Sequence, residues 1–523
     1  MLPELEKHKI HRQIDDDFTK GLRHRAGRWQ SSYFAGENVC GYEYPALISR
    51  PPRRVWQLLS EGIQGMCCAD GLYFACDGEL LRAVGHNQTQ ALGSLNKSTK
   101  VFGALGNELL ILPDFKVLDQ KSQQLRSLAR SLLLGNAMVQ SQSYVDEDGK
   151  ARTIEFNTLH CVDFNFLDYF SAGDSICITG SDFNDGYYTI RSVEEFDLRF
   201  DENAFRPENL MDCTVSKSAP ALQGMCACGD RLWGYAGHTI YACAPGRVDN
   251  WFCYDGDAQS SYCKSLPGGG DFTACIMHAG HPVFFKSNCM LEVYGDRPES
   301  FSVVETVLSG VAQGSAASLC SVGGDMLYLS ENGVVRCSGS TATVISEALG
   351  THLSCGVATG DGRRYYLSAV DDQGKRALYV YDTVTDAWHR EDGEHILHLA
   401  YLGGDVFACC ADNTVYILGQ DRTSHGRTQE KVQSHVEFHP VTDDVLGQIV
   451  PVRLGVRLYC EQGCALTLSV CYDDGEWETR AELQARGSRL WYVPLQPRAC
   501  HSLGIRIEGE GEYRILSLIK EYQ

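Results

Sequence analysis

No catalytic signature occurs in this chain. It has no phosphate-binding loop, no nucleophile elbow, no His-Glu-x-x-His and no dinucleotide fingerprint. These absences remove sequence support for the commonest nucleotide-binding, hydrolase and metalloprotease classes. Proline is scarce, at 15 of 523 residues. No apolar run approaches the roughly 18 residues that a membrane helix requires, so no membrane partner is expected. The opening segment, MLPELEKHKIHRQIDDD, has no apolar h-region, so a secretory signal is not expected there.

What is present is glycine and short apolar runs. There are 52 glycines, with 44% hydrophobic and 22% charged residues, the profile of a globular chain built from many short strands and tight turns. At this length two to four domains are expected. The 23 cysteines stand where Ala or Val would stand in buried strands, as at Cys226, Cys275, Cys289, Cys320 and Cys337. They read as free thiols acting as small apolar side chains in a reducing compartment. The pairs Cys67-Cys68 and Cys409-Cys410 point to opposite faces of a strand and do not bridge. Cys226-x-Cys228 has no second pair at zinc-finger spacing.

A repeat organises the centre. QGMCACGDRLWGYAGHTIYACAPG, FTACIMHAGHPVFFKSNCMLEVYG and SAASLCSVGGDMLYLSENGVVRCSG share one shape: three apolar runs, a Gly-rich turn after the first and a polar turn after the second. The first turns fall at Gly229-Asp230, Ala279-Gly280 and Gly323-Gly324, about 40–50 residues apart, the period of a propeller blade. Residues 64–85 repeat the shape with Asp70-Gly71 and Asp77-Gly78 turns, as do residues 100–119, 355–392 and 398–419. The expected fold is therefore all-β: a β-propeller of about seven blades. Residues 1–55 read as an extended basic leader and 56–145 as the first blades. Residues 146–215 read as a small inserted β-module and 216–425 as the remaining blades. Residues 122–143 fit a helix or an outer strand. Residues 420–434 are polar and turn-rich, a linker, and strands at about ten-residue spacing over 435–523 predict a C-terminal β-sandwich. There, Leu503, Ile505 and Ile507 share one face.

Net charge is −21. Residues 1–54 carry ten Lys and Arg against seven Asp and Glu, leaving 36 basic and 60 acidic side chains, or −24, in the rest. Such a body repels phosphate and argues against nucleic acid as a sequence-specific partner. The basic arm either docks an acidic partner or is a solvated leader. Arg23, Arg25, Arg28, Arg50, Arg53 and Arg54 are the candidate partner-docking residues. Trp29, Tyr33 and Tyr44 read as packing anchors.

No catalytic, cofactor or metal residue is expected. Gly268-Gly-Gly-Asp271 lacks the Lys-Ser/Thr of a phosphate loop and leads into a strand. Asp371-Asp372-x-Gly374 and Asp146-Glu-Asp-Gly149 offer too few ligands for Ca²⁺ and read as solvated turns. His278 and His281 flank a hairpin turn. A carboxylate pair across a propeller centre would serve a glycosidase, but spacing in sequence does not place one.

The central stretch resembles β-propeller virion proteins of tailed bacteriophages. It is similar to the tail accessory, head-completion and stabilisation hub of short-tailed phages. The likeness rests on RLWG…IYAC, DNWFCYDGD, VFFK…EVYGDRP, and GVAQGSA ahead of YLSENGVV, with RLGVRLYCEQGCALTLSVCYDDG in the C-terminal part. It covers residues 220–523 and neither the leader nor the insertion. The resemblance implies a structural virion protein at the tail or neck, assembled in the host cytoplasm and docking to portal, adaptor or tail components as a homo-oligomeric ring. It carries no catalytic residues. The alternative is a carbohydrate-recognising, receptor-binding propeller of a tail, which needs exposed aromatics; Trp233, Trp251 and Trp388 are candidates, each also suited to a core.

Overall fold

The structure is a computed structural model that describes residues 10–25, 30–60, 62–393, 395–419, 431–442 and 447–523. It is almost wholly β, with four short 3-10 turns and no α-helix among the described residues. Seven antiparallel four-stranded meanders are the blades of a β-propeller. In six of them the four strands follow one another in the chain. The chain divides into two compact units, residues 60–316 and residues 1–59 with 317–523.

The unit of residues 60–316 holds the first four blades. Their opening strands are Ile63–Cys68, Val101–Leu105, Gly224–Cys228 and Ala274–His278. The second strands, such as Leu72–Cys76 and Arg231–Ala236, are buried almost without a break. A strand covered on both faces reads as a continuous apolar run rather than an alternating one, which is why the repeat shows so plainly in sequence. The hairpin at Ala279-Gly280 turns with φ of 49° and 84°. Positive φ at both central residues matches the turn to the right-handed twist of its strands, and a glycine at the second removes the steric cost there.

Between the second and third blades lies the inserted module. Its first strand is Arg130–Leu134 and its last is Cys213–Lys217, and the two pair antiparallel. Two small sheets enclose a core of their own that includes Leu132, Phe166, Ile176, Ile178, Phe200 and Val215. No helix forms over residues 122–143: Gln124–Ser127 is the outer strand of the second blade, and Ala137–Val145 is half of a long hairpin with Ala151–His160.

The other unit holds blades five to seven and a nine-stranded sheet. The seventh blade takes its fourth strand, Arg54–Leu58, from the N-terminal region. The nine-stranded sheet is the C-terminal β-sandwich. Its spine is Pro451–Tyr472, which pairs with Tyr513–Tyr522 along its first half and with Ser502–Glu510 along its second. A bulge between Cys460 and Cys464 separates the halves. Their apolar sides meet in one core that includes Val436, Val456, Leu468, Ile505, Ile507 and Ile515. Residues Leu503, Ile505 and Ile507 point inward while Arg506 and Glu508 stay accessible.

The described part of residues 1–55 is not a separate leader. His11–Asp15 pairs with Tyr513–Tyr522, Ala35–Glu37 with Gln433–Thr442, and Leu47–Ser49 with the last strand. Gly21–Leu22 extends the sixth blade in parallel beside Trp388. Tyr33 is buried and Tyr44 exposed. Trp29, Arg28 and residues 420–430 of the expected linker lie outside the described residues.

Candidate functional site

Of the arginines expected to dock a partner, five are described: Arg23 and Arg25 line one small pocket with Glu347 and Ala348, and Arg50, Arg53 and Arg54 are not part of it. Arg50 and Arg53 are 1% and 4% exposed. Arg50 Nε donates to Asn38 Oδ1 at 2.8 Å, and its Nη2 reaches both oxygens of Asp392 at 2.8 and 3.0 Å. Arg53 Nη2 donates to Glu391 Oε2 at 3.0 Å and to the Asp392 carbonyl at 2.9 Å. Burial alone would raise the Glu391 carboxyl; hydrogen bonding to His389 and the charges of Arg53 and Arg50 outweigh it and hold the group well below the usual carboxylate range. Both guanidiniums are buried against internal carboxylates and neither is presented to a partner, so the docking assignment is corrected for both. Arg54 is 3.9 Å from Asp405 and largely buried. Arg25 stays exposed with Glu347 at 3.2 Å. Arg23 is half-buried, its backbone amide donating to the Tyr33 carbonyl at 2.9 Å.

In the same unit, a cavity of about 630 Å³ is lined by Asp15, Asp16, Asp17, Ser32, His439 and Lys520 among others. Lys520 is buried and ion-paired to Asp15 at 2.8 Å. His439 Nε2 lies 3.2 Å from Ser32 Oγ. Burial first, and then the Lys520 charge, push its imidazole down to about 4. A Ser–His pair acting in acyl transfer needs an acceptor on the second ring nitrogen. His439 Nδ1 is buried with no hydrogen-bond partner among the described residues, and Asp15 is engaged by Lys520. The pair therefore lacks the orienting group that the chemistry requires.

The other sequence candidates resolve into structure. Asp146 Oδ1 accepts from the amides of Asp148 and Lys150 at 3.1 and 2.8 Å, while Oδ2 takes Arg152 at 2.8 Å. Asp371 Oδ1 likewise accepts from the amides of Gln373 and Lys375 at 3.0 and 2.8 Å. The glycine run at 268–270 is pinned by buried Lys286, whose ammonium bonds the carbonyls of Leu266 and Gly268. A phosphate loop turns amides toward its ligand; here carbonyls face a cation. Among the described residues no group of three His, Cys, Asp or Glu is placed to hold a metal, and no helix is long and apolar enough to cross a membrane. The described cysteines are free thiols, 14 of them buried, and burial pushes Cys243 up to about 12 and Cys213 to about 11. Trp233, Trp251 and Trp388 are at most 3% exposed and line no accessible face.

What stands out on the surface is the inserted module. Of 24 large hydrophobic or tyrosine side chains that stand exposed among the described residues, ten lie within residues 130–217, about a sixth of the chain. Val145, Val162, Phe183, Leu133, Met211 and Leu167 are each 57–68% exposed. The inward faces of the module's sheets already fill its own core, so these side chains are surplus to folding. An ionic joint fastens the module to the third blade: Lys217 Nζ bonds Asp174 at 2.7 Å and Asp249 at 2.6 Å, and Arg247 bonds both carboxylates. That network joins the module to the blade, and the module's apolar side chains stand exposed beyond it. No sequence pattern announced this, because the apolar residues alternate with those of the core.

No family model matches the chain, and no curated protein matches it. Solved structures do. BamB from Moraxella catarrhalis aligns at 14% identity and a TM-score of 0.35, over 72% of this chain and 99% of that one. The dihydro-heme d1 dehydrogenase NirN, in complex with DHE, aligns at 11% identity and a TM-score of 0.29, over 75% and 74%. AztD from Citrobacter koseri aligns at 10% identity and a TM-score of 0.27, over 68% and 86%. These likenesses carry nothing about activity.

Proposed function

We propose that this chain is a non-enzymatic structural protein of a tailed bacteriophage or prophage particle. In this reading it docks at the tail or neck to stabilise the particle and retain the genome, and the inserted module is its docking element. The observation that carries the reading is the concentration of exposed apolar side chains on a module with its own core and an ionic joint to the third blade. A contiguous exposed apolar patch marks an interaction site, and ten exposed large side chains within residues 130–217 supply the material for one. The resemblance of residues 220–523 to phage tail propellers supplies the identity of the neighbours: portal, adaptor or tail components, with further copies of this chain completing a ring. The acidic body fits a role beside packaged DNA without gripping it.

Electron cryomicroscopy of the particle encoded by the same genome tests this reading. A ring of this chain at the tail or neck, with the module against a neighbour, is the expected result. A particle complete without the chain overturns it.

A further inference from the structure

Phe183 stands on the turn between the module strands Ser175–Thr179 and Gly186–Thr189 and is 61% exposed. Hydrogen bonds fix the backbone on both sides of it. The Glu208 carboxylate accepts from the amides of Asp182 and Phe183 at 2.7 and 3.3 Å and from Asn184 Nδ2 at 2.7 Å. Asn184 is buried. Its Oδ1 accepts from the Arg206 amide at 2.8 Å, its own amide donates to Ser181 Oγ at 2.7 Å, and its carbonyl accepts from the Tyr188 hydroxyl at 3.0 Å. The ring is thus held out on a backbone with little left to order, and a preorganised aromatic side chain is a low-cost anchor for a partner. Its surroundings are acidic. Asp182 adjoins it in the chain, and the Asp212 carbonyl lies 3.6 Å from where a Cβ on Gly180 would stand. Among the described residues no hydrogen bond or ion pair engages the carboxylate of Asp182 or of Asp212. A partner for this turn needs an apolar recess edged with cations.

The chain carries such a recess on its C-terminal sandwich. Glu478–Pro494 is an outer strand of the nine-stranded sheet, paired with Pro451–Tyr472. Across adjacent strands Tyr492, Gly455, Ile519 and Ile14 stand in one row, and Leu490, Arg457 and Ser517 in the next. A pocket of about 500 Å³ is built on these two rows. Its apolar walls include Ile14, Leu490 and Tyr492, each 47–50% exposed. Three arginines line it, Arg12, Arg457 and Arg489, against one carboxylate, that of Asp16. Arg12 lies 3.7 Å from Glu521, but Arg457 and Arg489 meet no carboxylate among the described residues. In a chain of net charge −21 this is a local excess of positive charge, and guanidiniums pair strongly with carboxylates. Half-exposed apolar walls beside two uncommitted arginines match a carboxylate next to an exposed ring, which is the chemistry of the Phe183 turn.

We propose that the Phe183 turn of one copy of the chain inserts into the sandwich pocket of a second copy, with Asp182 and Asp212 facing Arg457 and Arg489. Two different patches meet, so the contact is heterologous: each copy keeps a turn or a pocket for the next, which builds a ring or a filament. The proposal rests on the reading that copies of this chain complete a ring, and it names the contact between them. Analytical ultracentrifugation of the full-length protein over a concentration series tests it. The wild type is expected to sediment as a monomer when dilute and as larger species when concentrated. Phe183→Ala and Arg457→Glu should each weaken the association about tenfold or more. Both side chains are exposed, so both variants should keep the wild-type circular dichroism and melting curve. In an equimolar mixture one variant keeps its pocket and the other its turn, so pairs should form that grow no further. A wild type that stays monomeric at every concentration overturns the proposal. So does association that neither substitution weakens, or a mixture that remains monomeric. A chain present in the particle but monomeric in solution would sink this contact and leave the particle reading standing; association as expected, with the chain absent from the particle, would do the reverse.

Discussion

Arg130 and Lys217 sit opposite one another across the first and last strands of the inserted module. The chain therefore enters and leaves the module at adjacent points, and between those points the module encloses its own core. A segment with adjacent ends and a private core can be removed without stretching the backbone that remains.

Replacing residues 131–216 by a short Gly-Ser linker should thus leave the remaining chain folded, with a β-rich circular dichroism spectrum and a cooperative melt. The residues 130–217 expressed alone should also melt cooperatively. In the particle, the excised protein should fail to be incorporated. Normal incorporation would show that docking uses another surface.

Glu391 is buried between two guanidiniums, with Arg53 at 3.0 Å and Arg50 at 3.9 Å. Glu391→Gln leaves those cations undercompensated, and breaking a buried pair on one side typically costs about 3–5 kcal/mol. Because Asp392 still contacts both arginines, a loss near the lower end is expected in urea unfolding. Arg25→Ala is the contrast: its partner Glu347 is 64% exposed, and a change within about 0.5 kcal/mol is expected. Equal effects from the two substitutions would refute the assignment of Arg50 and Arg53 to the interior.

These two cases show what the sequence could and could not convey. The seven blades were legible because each repeats the same local grammar, a hairpin turn feeding an apolar strand buried on both faces. The N-terminal segment was not, because its partners are far away in the chain. Nothing near Arg50 and Arg53 hints at Glu391 and Asp392, so a basic run read as a docking arm. The strand Arg54–Leu58 likewise finds its place only against Thr414–Leu418. In the stretch from Gln124 to Val145, Leu125, Leu128 and Leu132 are spaced as suits a helix as well as strands. Pairing of Arg130–Leu134 with Cys213–Lys217 decides the matter, and the two partners are far apart in the chain. The burial of Trp233 and Trp388 follows their place on the blade strands Arg231–Ala236 and Ala387–Asp392.

Gly310 tests the packing of the fourth blade. A Cβ there would lie 1.8 Å from the Lys286 carbonyl oxygen, and the Gly310 amide donates to the Ser287 carbonyl at 3.0 Å. The obstacle is backbone, which cannot swing aside as a flexible side chain does. Gly310→Ala should destabilise the protein by about 2 kcal/mol or more, read as a shift in the urea midpoint. Gly314→Ala, where φ is 75° but no atom lies within 4 Å, should cost about 1 kcal/mol through backbone strain alone. A larger loss at Gly314 than at Gly310 would contradict the close approach.

Acid should weaken the unit of blades five to seven and the C-terminal sandwich in two stages, and the sign follows from which state holds more protons. His439 has its imidazole pushed down from 6.5 to about 4. Between those values the unfolded chain takes up a proton that the folded protein refuses, so stability is complete above about pH 6.5 and falls as the pH drops toward 4. For a shift of this size the loss is on the order of 3 kcal/mol. Glu391 is also held below its ordinary value of 4.5. Its contribution is present above about pH 4.5 and is lost only as the pH falls further, when the carboxylate between the two arginines is finally protonated. Urea midpoints measured from about pH 7.5 to about 3.5 should therefore decline first through the histidine window and then more steeply. In His439→Gln the first decline should shrink rather than vanish, because burial also pushes down the imidazoles of His398 and His435 in this unit, while the second decline persists. A wild-type midpoint that stays flat between about pH 6.5 and 4.5 would mean that His439 is free to protonate in the folded protein, and would remove the burial and the Lys520 charge as the forces acting on it.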